Sequence, residues 1–180
     1  MSTIKVDTIT DTSGNSIPYM KGAVLQVFYT QLTAAADVSL SAGTATVLTN
    51  LTVNITPKSA SSIIKLDSHV FHEWGTVAHA AESVWFFFRD TTLLRAPVAG
   101  SRISGISMSR LSHETDVGST PEIAYYSYFD EPSTTSQITY KVGVQVIADS
   151  TLAINKSIND TDNSNHERGI SFISATEIGG

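Results

Sequence analysis

The sequence predicts an all-β protein: an antiparallel β-sandwich of jelly-roll type, with a short extended segment at its N-terminus. Three observations predict it. Apolar residues alternate with period two over several stretches, which sets successive side chains on opposite faces of a strand. No segment keeps a helical period long enough to stand alone. Thr33-Ala34-Ala35-Ala36-Asp37 and Ala78-His79-Ala80-Ala81-Glu82 are helix formers for a turn at most. Strand-like runs recur at short, turn-rich intervals, about nine or ten of them, which is the spacing of a sandwich or jelly roll.

Taken in order, Ile4 to Thr10 alternates. Asp11-Thr12-Ser13-Gly14-Asn15-Ser16 then reads as a tight turn, because Gly14 and Asn15 accept positive φ, and Ile17-Pro18-Tyr19-Met20 leads on from it. Residues 1–22 are therefore expected to be an appendage and residues 23–180 the compact domain. Ala23 to Tyr29 is apolar on both faces. Val47, Thr49, Leu51, Val53 and Ile55 form one face of a half-buried strand, which Pro57-Lys58-Ser59-Ala60 ends because proline brings no donor to a ladder. Ile64, Leu66, Val70 and His72 alternate with Lys65, Asp67, His69 and Phe71. Val84-Trp85-Phe86-Phe87-Phe88 is apolar on both faces and closes at Arg89-Asp90-Thr91-Thr92. Ile123 to Phe129, with Tyr125, Tyr126 and Tyr128, is also apolar on both faces. Ile138, Tyr140, Val142, Val144 and Val146 share one face of the clearest strand, and Gly169 to Ile178 is the last run. One face of an antiparallel strand usually meets water. A strand apolar on both faces needs a second cover, either another subunit or another element of its own chain.

Composition narrows the chemistry. The formal net charge is −6, which disfavours nucleic acid as a partner, since that needs a basic face to displace phosphate counterions. Charged residues are 16 % of the chain, against roughly 25 % in ordinary soluble domains. In their place stand 24 Ser and 22 Thr. Cysteine is absent, so disulfides and thiolate chemistry are excluded. No apolar run approaches the roughly 18 residues of a membrane-spanning helix, and membrane insertion is not expected. The opening residues lack the basic-then-apolar pattern of a secretion signal. The triplets beginning at Asn50, Asn54, Asn155 and Asn159 match the glycosylation pattern and are expected to be chance in so hydroxyl-rich a chain.

Candidate sites are few. His69 and His72 lie three apart in a strand, on opposite faces, and so are not expected to share a metal. His79, His113 and His166 fall in loop-like sequence. Asn159 to Asn165 offers oxygen ligands. Counted from Asp160 as a calcium loop, however, the sixth and twelfth positions hold Asn165 and Ser171 where Gly and Glu are wanted, so a polar loop is expected. Asp130-Glu131-Pro132 reads as a solvated turn. Gly105-Ile106-Ser107-Met108-Ser109 comes nearest to a nucleophile elbow but lacks its closing glycine, and no glycine-rich phosphate loop occurs. Tyr125, Tyr126, Tyr128, Trp74 and Trp85 would stack on sugars if exposed. The competing reading sets large amphipathic rings in the core or a subunit interface. No catalytic, metal or cofactor group is expected.

Three segments carry a resemblance: Ser2 to Asn15 at the start, Ile55 to Ser62 with Phe88-Arg89-Asp90-Thr91, and Ile154 to Asp160 with Arg168-Gly169-Ile170-Ser171 and Glu177-Ile178. Together the chain resembles tail-fibre-like virion structural proteins of marine and cyanobacterial phages. The resemblance implies a jelly-roll body similar to the trimeric heads of the tumour-necrosis-factor-like class. It implies a non-enzymatic homotrimer on the phage particle, assembled in the bacterial host cytoplasm: a short tail fibre or fibre tip, or alternatively a capsid decoration protein. A depolymerase or a carbohydrate-binding module is a more distant reading. Residues 1–22 would attach to other virion proteins by strand addition through Ile4, Val6 and Ile9. Trp85, Phe86, Phe87, Phe88, Tyr125, Tyr126 and Tyr128 would form trimer interface or core, and a host-surface glycan or protein would be the distal partner.

Overall fold

The computed structural model describes Ser13 and residues 21–75, 83–109 and 118–180. Ten strands follow one another among them: β1 (Val24–Leu32), β2 (Ala36–Leu40), β3 (Thr46–Ile55), β4 (Ile63–Trp74), β5 (Ser83–Arg89), β6 (Thr92–Leu94), β7 (Glu122–Asp130), β8 (Ile138–Val146), β9 (Ser150–Ile154) and β10 (Ser171–Ile178).

The pairing has one rule. The first strand pairs with the last, the second with the ninth, and so inward: β1–β10, β2–β9, β3–β8, β4–β7 and β5–β6, all antiparallel. The chain is thus one long ribbon folded at Asp90-Thr91, and the ribbon is rolled so that its rungs fall into two sheets. One sheet runs β1-β10-β4-β7, with β9 and β2 continuing beyond β10 along the upper part of β4. The other runs β3-β8-β5-β6. Two stacked sheets wound from a single ribbon make a jelly roll, the fold expected from the sequence. The ribbon crosses between sheets without slipping: Leu40 pairs with Ser150, and the next rung, Thr46 with Val144, lies equally far along both strands.

The core sits between the sheets and follows the period-two pattern. Ile64, Leu66, Val70 and Trp74 of β4 face inward from one sheet. Leu51, Val53, Ile55, Trp85, Phe87, Tyr140, Val142 and Val144 face them from the other, all but sealed from water. Burying a side chain of this size contributes about 1.5–3 kcal/mol. In β3 the simple alternation fails. The register slips between Val47 and Thr52, and the bulge turns both Leu48 and Leu51 inward while Thr49 stays outside. The Thr33–Asp37 segment, expected to make a turn of helix at most, runs into strand β2 at Ala36. Pairing with β9 overrides a weak local preference.

β5 is covered on both faces by its own chain. Trp85 and Phe87 join the core, and Phe86 and Phe88 lie on the outer face, edge-on to each other at 5.5 Å. Phe86 is fully buried, its ring laid over Gly143 of β8, where any Cβ would fall 2.4 Å from the ring. The segment 95–107 returns along β5, with Trp85 N–H bonded to Ser107 O and Ile106 N–H to Trp85 O.

Candidate functional site

Two kinds of feature stand out: buried polar clusters that fasten the ribbon, and an exposed aromatic face on the β1-β10-β4-β7 sheet.

The buried clusters come first. His72 is inward-facing on β4, between Trp74 and Trp85, with ring centroids 5.6 and 4.9 Å away. Its Nδ1 lies 3.1 Å from Val70 O, and its Nε2 lies 3.1 Å from Ser109 Oγ. The first contact requires a proton on Nδ1, so Nε2 is left to accept from the serine hydroxyl. Trp85 Nε1 donates to the same Oγ at 3.0 Å. Burial disfavours the imidazolium and lowers the His72 pKa from 6.5 to about 4, partly countered by the bond to Val70 O. A serine bonded to histidine Nε2 has the outline of a nucleophile–base pair. Here both residues are sealed, His72 between two indoles, and the tryptophan N–H occupies the serine oxygen. The arrangement locks the core. Ser109 is the last residue of the segment noted as the nearest approach to a nucleophile elbow.

Asp130, expected in a solvated turn, is instead buried. It accepts Tyr140 O–H at 2.6 Å from the facing sheet and Arg89 Nη1 at 3.0 Å. Burial, and after it the hydrogen bond to Asp130, raise the Tyr140 pKa, so the phenol stays protonated and donates. Glu73, at the end of β4, is 1 % exposed. It accepts the N–H groups of Gly118 and Thr120 on one oxygen and of Ile158 on the other, at 2.9, 2.9 and 2.6 Å. Glu177 does the same at the opposite end, accepting Gln26 Nε2 at 2.5 Å and Lys58 N–H at 2.6 Å. The sequence placed Asp130 in a solvated turn and gave no signal for Glu73 or Glu177, because an acid reads as solvated until its neighbours in space are known.

The exposed face is built rung by rung. Outward from β4 point Ile63, Lys65, Asp67, His69 and Phe71. Across from them on β7 are Phe129 (opposite Lys65), Ser127 (Asp67), Tyr125 (His69) and Ile123 (Phe71). On the other side β10 presents Phe172, Ser174, Thr176 and Ile178, and beyond it β1 presents Val24, Val27, Tyr29 and Gln31. His69 stacks flat on Phe172 at 5.5 Å. Lys65 Nζ meets Asp67 at 2.8 Å, and Ser127 Oγ donates to the same carboxylate at 2.6 Å. The bond to Asp67 raises the Lys65 pKa.

The expected site residues thus separate. Trp85, Phe86, Phe87, Phe88 and Tyr126 are buried within a single chain, Tyr126 donating to Phe86 O at 3.0 Å. Tyr128 is half-buried against the core, and Tyr125 is exposed. Trp74, weighed as a sugar platform, is the buried end of β4. Ile4, Val6, Ile9, His79 and His113 lie outside the described residues. In the 155–170 link, Asp160 is bonded to Arg168 Nη2 at 2.5 Å and His166 to Thr161. No group of three metal-ligating side chains occurs among the described residues. A small apolar pocket of about 30 Å³ between β2 and the β3 bulge is lined by Leu32, Val38, Leu48, Leu51 and Ile154. It is smaller than the roughly 300–1,000 Å³ of small-molecule sites.

No family model matches the chain, and no curated protein matches its sequence. Among solved structures, the chain is similar to the infectious bursal disease virus VP2 subviral particle, with 9 % identity and a TM-score of 0.39. That match covers 86 % of this chain and 41 % of the other, so the chain spans less than half the length of that protein.

Proposed function

We propose that the chain is a virion structural protein of a phage, displayed on the particle as a homotrimeric short tail fibre or fibre tip. Its role is passive: one end attaches, and the other meets the host surface. The observation that carries this reading is the polarity of the ribbon. Gly22 N–H bonds Gly179 O and Gly179 N–H bonds Ala23 O, so the start of β1 and the end of β10 lie together at one pole. The Asp90-Thr91 turn and the links 56–62 and 131–137 share that pole, where Arg89, Asp130 and Tyr140 meet. The 155–170 link and residues 118–121 lie at the other pole, where Glu73 ties residues 118, 120 and 158 together. A domain tethered at one pole, with these segments at the other, is suited to present them outward, where binding residues are commonly carried. The resemblance of Ser2 to Asn15 supports the tethering half.

Mass spectrometry of purified particles should find the chain, with gold-labelled antibody at the tail. Label over the shell at hundreds of copies per particle would make it a decoration protein instead. Absence from particles would remove the virion role. Deleting residues 2–15 should leave a folded domain that no longer enters particles. Normal incorporation of the truncated chain would locate the attachment elsewhere.

A further inference from the structure

We propose that copies of this chain meet through the outer face of the β1-β10-β4-β7 sheet, and that the occupant of this face is a second copy. The proposal rests on the oligomeric virion reading above and names the surface it uses.

The two outer faces of the sandwich differ. On the β3-β8-β5-β6 side the outward residues include Thr52, Asn54, Thr139, Lys141 and Gln145; of the apolar ones, Phe86 and Phe88 are already covered and Val47, Val84 and Leu93 are half-buried. On the other side, Val24, Val27, Tyr29, Ile123, Tyr125 and Phe129 are each 54–71 % exposed. Six such side chains present on the order of 600 Å², the upper end of what a monomeric protein leaves uncovered. Half-buried Ile63, Phe71, Phe172 and Ile178 lie between them and extend the face toward the ~800 Å² that a stable interface takes from each partner.

Charge points to a copy as the occupant. The chain carries −6 overall, so copies repel one another unless they approach by a neutral surface. Across the outward rungs the charged pair is Lys65 and Asp67, and these neutralise each other at 2.8 Å. The remaining polar groups are the hydroxyls of Tyr29, Tyr125, Ser127, Ser174 and Thr176, the Gln31 amide and the His69 ring, which is stacked on Phe172. A hydroxyl both donates and accepts, so a surface bearing hydroxyls can pair with itself. A basic or acidic partner would find no counter-charge here. β5, expected at the interface or in the core from its five apolar residues, has Trp85 and Phe87 in the core and Phe86 and Phe88 covered by its own chain.

The test compares three purified full-length chains by light scattering and sedimentation at about micromolar concentration: wild type, the double variant Tyr125→Glu with Val27→Glu, and Asn54→Glu on the opposite outer face. Wild type and Asn54→Glu are expected at the same multiple of the 19.3 kDa chain mass, and the double variant at 19.3 kDa. Because its substitutions are exposed, the double variant should keep its β-type circular dichroism and a cooperative melt. A double variant that stays multimeric overturns the choice of face. A monomeric wild type overturns the proposal, and if the double variant then also fails to enter particles, the face belongs to another virion protein. Neither result bears on whether the chain is found in particles, which particle mass spectrometry decides separately.

Discussion

His72 is held neutral by its surroundings: one ring nitrogen donates to Val70 O, the other accepts from Ser109, and two indoles exclude water. The unfolded chain binds a proton at this site near pH 6.5, and the folded chain only near pH 4. Stability linked to His72 is therefore whole above pH 6.5, declines as pH falls toward 4, and is level below that. At 1.36 kcal/mol per unit this amounts to about 3 kcal/mol. Urea midpoints should fall over that window, and His72→Gln should flatten the fall; parallel slopes for the two proteins would refute the assignment. Asp130→Asn leaves Arg89 without its counter-charge and weakens the acceptor for Tyr140, at a cost of about 3 kcal/mol. The denaturation midpoint at neutral pH measures it, and a loss below about 0.5 kcal/mol would mean the cluster is solvated after all. Neither environment was legible in the sequence. His72 and Ser109 are far apart in the chain, as are Asp130 and Arg89, and only the rolled ribbon sets them within hydrogen-bonding distance.

Strands were read most faithfully where alternation is uninterrupted. β8 buries Ile138, Tyr140, Val142, Val144 and Val146, the five residues that period two places on one face. β3 departs from the pattern because a bulge adds residues on one strand alone, and no local composition marks the bulge. β5 and β7 looked alike, both apolar on two faces, yet one is covered by its own chain and the other is open on its outer side. Phe86 owes its cover in part to the glycine opposite. Gly143→Ala should force the ring aside and cost about 1–3 kcal/mol. Adding Phe86→Leu should restore part of that loss, as non-additive midpoints in a double-mutant cycle; strict additivity would mean the two sites do not touch. Glu73 fastens links rather than strands. In Glu73→Gln the amides of Gly118, Thr120 and Ile158 should lose hydrogen-exchange protection while those of β4 and β8 keep theirs. A uniform loss would make Glu73 a general core residue instead.

At the scale of the molecule, the nested ribbon sets the folding problem. Apart from β5–β6, every rung joins residues distant in sequence, Val24 with Ile178 at the extreme. Such topologies close costly loops before contacts reward them. Refolding from urea should therefore relax over milliseconds to seconds or more slowly, with β5–β6 protected before β1–β10 in pulse-labelled exchange. Simultaneous protection of both pairs would show that the ribbon does not zip from its fold.

Sequence alone determined the fold class of this chain, most of its strands and the inward set of each regular strand. Those follow from side-chain period and turn chemistry, which are local. It also determined what the chain lacks as material: cysteine for covalent staples and an excess of basic over acidic residues. Tertiary structure alone decided which two-faced strand is covered, which acids are buried and which sheet face stays open. Those depend on which segments become neighbours when the ribbon rolls. The shortage of charge takes its meaning from that outcome, since it lets one sheet face be broad, aromatic and electrically neutral.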